Sequence, residues 1–133
     1  MSKIDINNCP CGRDKVYEHC CGKVHYNRIN AFTAEDLMRS RYSAFVKGNG
    51  AYLFDSHSIL TRKEKEKDEI ESWAKSVKWL KLEVLKSTLG SKKDTKGTVE
   101  FKAYFKEGYR KHVIHENSKF IKENGLWVYL GVV

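Results

Sequence analysis

A chain of 133 residues suits one ordinary domain, or a small domain with a mini-domain attached. Hydrophobic residues at 41% and aromatics at 12% supply a core and exclude global disorder. No run of about 18 apolar residues is present to cross a membrane as a helix, and the formal net charge of +8 is concentrated in particular segments.

The opening MSKIDINN has no apolar stretch of signal-peptide length, so a cytoplasmic protein with reduced thiols is expected. All four cysteines then fall within CPCGRDKVYEHCCG, residues 9–22. Closing Cys9 to Cys11, or Cys20 to Cys21, would make very small strained rings, and cross-pairing needs an oxidising compartment. Four thiolates around one structural Zn2+ fit better, because a tetrahedral ion needs two close pairs brought together by a loop. Pro10 restricts the backbone between the first pair, Gly12 lets the chain turn back, and Gly22 is expected to play a similar part after the second. The loop RDKVYEH has room for a helical turn, with Val16 and Tyr17 available to cover the metal. His19 and His25 are read as surface or supporting residues, since four cysteines already close the site. Such a site leaves no open position for substrate, so no catalytic role is assigned to a thiol. Four thiolates on a divalent ion would lower the total charge from +8 to +6.

The run CPCG…CCG resembles the SEC-C motif, the zinc-binding tail of the preprotein translocase ATPase and of many other proteins. Its ligand positions fall on Cys9, Cys11, Cys20 and Cys21. Members usually carry Ser-Gly-Lys after CPCG, where this chain has Arg13-Asp14-Lys15, a departure that touches the loop and leaves the ligands intact. The resemblance implies a metal-binding lobe over residues 1–27 and a second domain over residues 28–133.

In that second part, TAEDLMRSRYSAFVKGNG reads as a helix with Thr33 as N-cap, Asp36 three residues on, and a stop at Gly48. Leu37, Met38, Arg41, Tyr42, Phe45 and Val46 recur at helical spacing. A short helix is expected over Ala51–His57. A third, over TRKEKEKDEIESWAKSV, carries dense mixed charge and a buried stripe of Ile70, Trp73 and Val77. The pattern then changes to period two, giving strands KWLKLEVLK, TVEFKAYFKE, RKHVIHENSKFI and LWVYLGV. Helices followed by a strand meander imply an α+β fold with helices on one face of an antiparallel sheet. The segments LMRSRYSAF, GTVEF, HENSKF and WVYLG resemble the YchJ-type family, in which a SEC-C lobe precedes a domain similar to nuclear transport factor 2. That resemblance implies a cone-shaped, cystatin-like sheet wrapped by helices, and often dimerisation through the sheet. It implies no particular activity.

Two turns assign the faces. A two-residue turn in EGYR pairs Glu107 with Arg110, hence Phe105 with His112, Ala103 with Ile114, Phe101 with Glu116 and Val99 with Ser118. An Asn124-Gly125 turn pairs Phe120 with Tyr129 and Lys122 with Trp127. Polar His112, Glu116 and Ser118 thus share an apolar inner face and need partners there. Arg39, Arg41 or Tyr42 on the first helix could supply them. Two readings stand: Glu116 makes an internal ion pair or hydrogen bonds, or Glu116, His112 and an arginine line a pocket with Phe101 and Ser118. His112 and Glu116 are no acid–base dyad, because four residues along a strand set their anchors about 13 Å apart. Outward, Val113, Ile121, Val128, Leu130 and Val132 make an apolar patch that the metal lobe or a second copy is expected to cover.

These features favour a binding or adaptor protein with a protein partner over catalysis. The alternative is an isomerase- or hydrolase-type enzyme using Glu116 or His112. A third is an RNA-associated protein using seven lysines in residues 75–97, set against only Glu83 and Asp94. It ranks last because no stacking aromatics mark an exposed sheet.

Overall fold

In the computed structural model, which describes residues 8–133, the chain enters through the cysteine-rich segment. The opening stretch read above for a leader lies almost entirely outside the described residues. A bridge between Asn8 and Val16 closes the first loop, a 3-10 turn follows at Tyr17–His19, and helix α1 spans Cys21–Tyr26. Gly22 therefore sits inside a helix and not in a turn. Glycine is required there by close approach, since a Cβ would come within 2.6 Å of the Tyr17 carbonyl oxygen. Gly12 is the residue that reverses the chain, with φ of +94°.

A second 3-10 turn, Arg28–Asn30, leads to helix α2, Ala34–Lys47. Thr33 starts it with a complete capping box: its side chain accepts the Asp36 N–H while the Asp36 carboxylate accepts that of Thr33. Gly48 stops it in the left-handed conformation. Helix α3 spans Gly50–Asp55 and α4 spans Glu66–Ser76. The helix expected from residue 61 begins five residues later because the preceding stretch bonds elsewhere. Thr61 donates to the Leu130 carbonyl, Arg62 to that of Phe54, and Glu66 accepts the Lys63 N–H.

Strands β1 (Lys78–Leu89), β2 (Lys96–Glu107), β3 (Arg110–Glu123) and β4 (Leu126–Val132) form one antiparallel meander in sequence order. The registers follow the two turns: Phe105 faces His112, Phe101 faces Glu116, Val99 faces Ser118, and Phe120 faces Tyr129. Irregularities between Trp79 and Lys81, Val84 and Lys86, and Lys119 and Phe120 let the sheet curl around α2. Segment 56–58 bonds along β4, through Ser58 N–H to the Tyr129 carbonyl and Tyr129 N–H to the Ser56 carbonyl, and so covers that edge. The other edge, β1, carries exposed Lys78, Lys81 and Lys86. Such charge is a common guard against edge pairing, which gives part of the lysine strip a structural purpose.

The core lies between α2, α3 and the sheet. Leu37, Leu53, Val99, Phe120 and Trp127 are fully enclosed, and each such side chain contributes about 1.5–3 kcal/mol by leaving water. Two expectations need correction. The stripe on α4 is not buried: Trp73 is 36% exposed, Ile70 and Val77 are half-buried, and only Ala74 is enclosed, because α4 closes the open end of the cone and not its centre. The outer face of the sheet keeps part of the expected apolar patch, with Val113 and Val132 exposed and Ile121 and Leu130 half-buried, but polar pairs interrupt it. Val128 is buried, and His115 bonds Glu100 while Tyr104 donates to Glu83. The cysteine lobe does not cover that face; it packs on α2.

Candidate functional site

The turn at Gly12 and the start of α1 bring Cys9, Cys11, Cys20 and Cys21 together. All four are buried, none forms a disulfide, and their sulfurs lie within 4.8 Å of one another. Cys11 and Cys20 sulfurs are 3.6 Å apart. Four thiolates held about 2.3 Å from a tetrahedral zinc would sit about 3.8 Å from each other, so the donor set has the size and chemistry for such an ion. The charges support the same conclusion. Hydrogen bonds from Cys11 and Cys21 hold Cys9 well below the ordinary thiol range. Burial, with the neighbouring Cys11, pushes Cys20 up to about 11. Hydrogen bonding to Cys11 and Cys9, with burial added, drives Cys21 higher still. Without a cation the cluster resists carrying four negative charges; a divalent ion removes that conflict.

The support around the sulfurs comes from α2. Ser43 Oγ is 3.4 Å from Cys9 Sγ, and Arg39 donates from Nη1 to the Cys11 carbonyl at 2.7 Å while its Nε holds Glu35 at 2.9 Å. Arg13 reaches back to Asp36 at 2.9 Å, so the loop residue that departs from the usual motif anchors the lobe. His25 donates from Nε2 to the Ser40 carbonyl at 2.7 Å, which leaves Nδ1 to accept the Tyr17 hydroxyl at 2.6 Å. Burial holds His25 below its ordinary range, and Tyr17 packs against the cysteines. His19 is exposed. Ser40, Ser43 and Arg39 carried no sequence signal for this role, since their positions on α2 acquire meaning only when the lobe docks.

A second site lies on the other side of α2, inside the cone: a cavity of about 240 Å³. Of the sequence candidates, Arg41, Tyr42, Phe101, Glu116 and Ser118 line it. Arg39 does not, because it faces the lobe. His112 does not either; it lies exposed near the end of the sheet, stacked on Phe105 at 5.1 Å with Glu107 at 3.8 Å. Glu116 makes no ion pair with an arginine among the described residues. It accepts one long bond, 3.5 Å, from Ser118 Oγ. Arg41 is 8% exposed, and its Nη1 donates to the Leu53 carbonyl at 2.8 Å and Ser56 Oγ at 2.7 Å. Its guanidinium lies 4.7 Å from the Tyr129 ring centre, and burial pushes its pKa down to about 10. The cavity also holds a pair absent from the sequence reading, His57 Nδ1 against Glu66 Oε2 at 2.6 Å. No periodicity links these two residues, because segment 56–58 reaches β4 only in the folded chain.

Comparison with known proteins gives a consistent result. The family model for the YchJ middle domain, similar to nuclear transport factor 2, matches residues 33–131. A UPF0225 protein of Vibrio parahaemolyticus is 41% identical over 124 residues, covering 93% of this chain and 73% of that protein. One from Streptomyces coelicolor is 42% identical over 121 residues, covering 91% and 90%. Among solved structures, a SEC-C motif protein from Rhodopseudomonas palustris superposes with a TM-score of 0.84 at 34% identity, covering 95% of this chain and 97% of that one. Another from Psychrobacter arcticus gives 0.77 at 34% identity, covering 92% and 79%.

Proposed function

Since this chain belongs to the YchJ, or UPF0225, family, with a SEC-C motif ahead of a domain similar to nuclear transport factor 2, we propose that it is a zinc-dependent adaptor of the cytoplasm. One structural Zn2+ on Cys9, Cys11, Cys20 and Cys21 gives the lobe its shape, the lobe presents a recognition surface to a protein partner, and the cone serves as scaffold with a ligand cavity. The observation that carries this reading is the enclosed four-sulfur cluster, whose donors fill a tetrahedral ion and leave no position for substrate. Tyr26, Ile29 and Phe32 support it, standing 90%, 61% and 54% exposed along the edge of the lobe. Rigid exposed apolar side chains of this kind suit protein contact.

The test compares affinity capture by three forms: the intact protein, a Cys20→Ser, Cys21→Ser form, and a Tyr26→Ala, Ile29→Ala form. The expected result is one zinc per intact chain and a specific companion lost from both variants, although the second keeps its metal. Absence of stoichiometric zinc, or companions shared equally by all three, overturns the reading. An enzymatic reading is supported by one observation, the His57–Glu66 pair in the cavity, where a carboxylate orients an imidazole as it does for general bases.

A further inference from the structure

The cavity is polar at one end and aromatic at the other. At the polar end Glu66 is already satisfied, one oxygen by His57 and the other by the Lys63 N–H at 2.6 Å. Arg41, which bonds neutral oxygens and lies over the Tyr129 ring, and the half-buried Glu116 have no charged partner of their own among the described residues. They face the same space without forming an ion pair. Arg41 bonds only through Nη1, to neutral oxygens, and Glu116 has only the long contact to Ser118. At the other end Phe45, Trp73 and Trp79 stand against one another with ring centres 5.4–6.3 Å apart. Trp73, partly exposed, marks the entrance.

A buried guanidinium that meets only neutral oxygens and a ring face lacks a counter-ion, and a ligand that pairs only one of the two charges leaves the other facing unmatched charge. A carboxylate alone would suit Arg41 and meet Glu116 with like charge. An amine alone would do the reverse. A molecule carrying both groups close together satisfies both ends of the pair. A volume of about 240 Å³ is below the ~300–1,000 Å³ usual for drug-sized ligands and leaves room for a single small body.

We propose that the cone cavity binds a small zwitterion, an α-amino acid with a branched or aromatic side chain. Its carboxylate lies on Arg41, its ammonium on Glu116, and its side chain among Phe45, Trp73 and Trp79. The aromatic rings accept the apolar body, and the ammonium gains from the faces of nearby rings as well as from the carboxylate. The inference rests on the cone half of the adaptor reading and is independent of any partner of the lobe.

The experiment uses the full chain loaded with zinc and follows the indole signals of Trp73 and Trp79 by NMR. L-phenylalanine and L-leucine are titrated beside 3-phenylpropionate, which lacks the ammonium, phenethylamine, which lacks the carboxylate, and glycine, which lacks the body. The expected result is saturable binding of an amino acid at least about tenfold tighter than any of the three analogues. Glu116→Gln then weakens the amino acid at least about tenfold and spares 3-phenylpropionate, while Arg41→Gln spares phenethylamine. Should Arg41→Gln fail to fold, Glu116→Gln decides alone. Equal binding of a single-charge analogue or of glycine overturns the proposal. So does unchanged affinity in Glu116→Gln, or indole signals that move with none of the probes. Capture experiments on the lobe are unaffected by either outcome.

Discussion

The cysteine lobe and the cone are built from the same chain by different physics. In the lobe, Tyr17 is the hydrophobic side chain packed on the four enclosed cysteines among the described residues, and the segment is far too short to bury a core of its own. In the cone, α2, α3 and the sheet enclose aromatic and branched side chains on all sides. The lobe is organised around a sulfur cluster that could hold a metal ion, the cone around apolar area. Helix α2 belongs to both, with Ser43 against the Cys9 sulfur, Arg39 on the Cys11 carbonyl and the Ser40 carbonyl on His25, while Met38, Arg41 and Tyr42 line the cavity. The difference predicts that the two sites can be damaged separately.

The largest expected effect comes from stripping the metal. Structural zinc in small peptides supplies about 10–16 kcal/mol of apparent binding free energy at neutral pH, nearly all of it folding energy. Chelation should therefore unfold residues 9–26 while amides of β2 and β3 keep their protection from hydrogen exchange. Exchange measured with and without chelator checks this directly. Simultaneous loss of protection in β2 and β3 would mean that lobe and cone form a single cooperative unit.

The reverse damage is smaller. Phe120 is 2% exposed, and Phe120→Ala should cost about 3–5 kcal/mol through lost transfer energy and the cavity left behind. Urea melting gives that loss, and metal analysis of the folded variant should still return one zinc per chain. A variant that sheds zinc along with cone stability would show α2 transmitting the damage.

How much of this was legible in the sequence follows the same division. Spacing alone picked out the four cysteines whose sulfurs cluster, because local chain geometry decides which sulfurs can meet. The β2–β3 register and the first part of β3–β4 were legible too, since a two-residue turn fixes the pairs next to it, whereas the irregularity at Lys119 and Phe120 and those along β1 carried no such signal. The cavity was legible only in part. Alternation put His112 on the inner face correctly, stacked on Phe105, but alternation does not report how far along a strand the cone is covered, and His112 lies beyond its cover. Helical spacing set Arg41, and not Arg39, on the apolar stripe of α2, and the folded chain shows what each one meets: the cavity for Arg41, the cysteine lobe for Arg39. His57 and Glu66 meet through a loop that borrows the edge of β4, a long-range event with no local pattern.

The smallest expected effect sharpens the contact between the two regions. His25 links Tyr17 over the cysteines to the backbone of α2, and burial holds its pKa below the ordinary value. The unfolded chain protonates this residue near pH 6.5, whereas the docked lobe keeps it neutral at that pH. Between the two pKa values the unfolded state binds more protons, so the stability contributed by His25 is present above about pH 6.5 and is lost as the pH falls below it. Protonation of the thiolate ligands also releases metal in acid, but it acts equally on a His25→Gln variant, which lacks the imidazole. Zinc retention measured from pH 7 down to pH 5 should therefore fall earlier for the natural chain than the ligands alone require, and the variant should follow the shallower curve. Parallel curves would mean that the lobe is held to α2 by Arg39, Arg13 and Ser43, with His25 contributing no proton-linked stability.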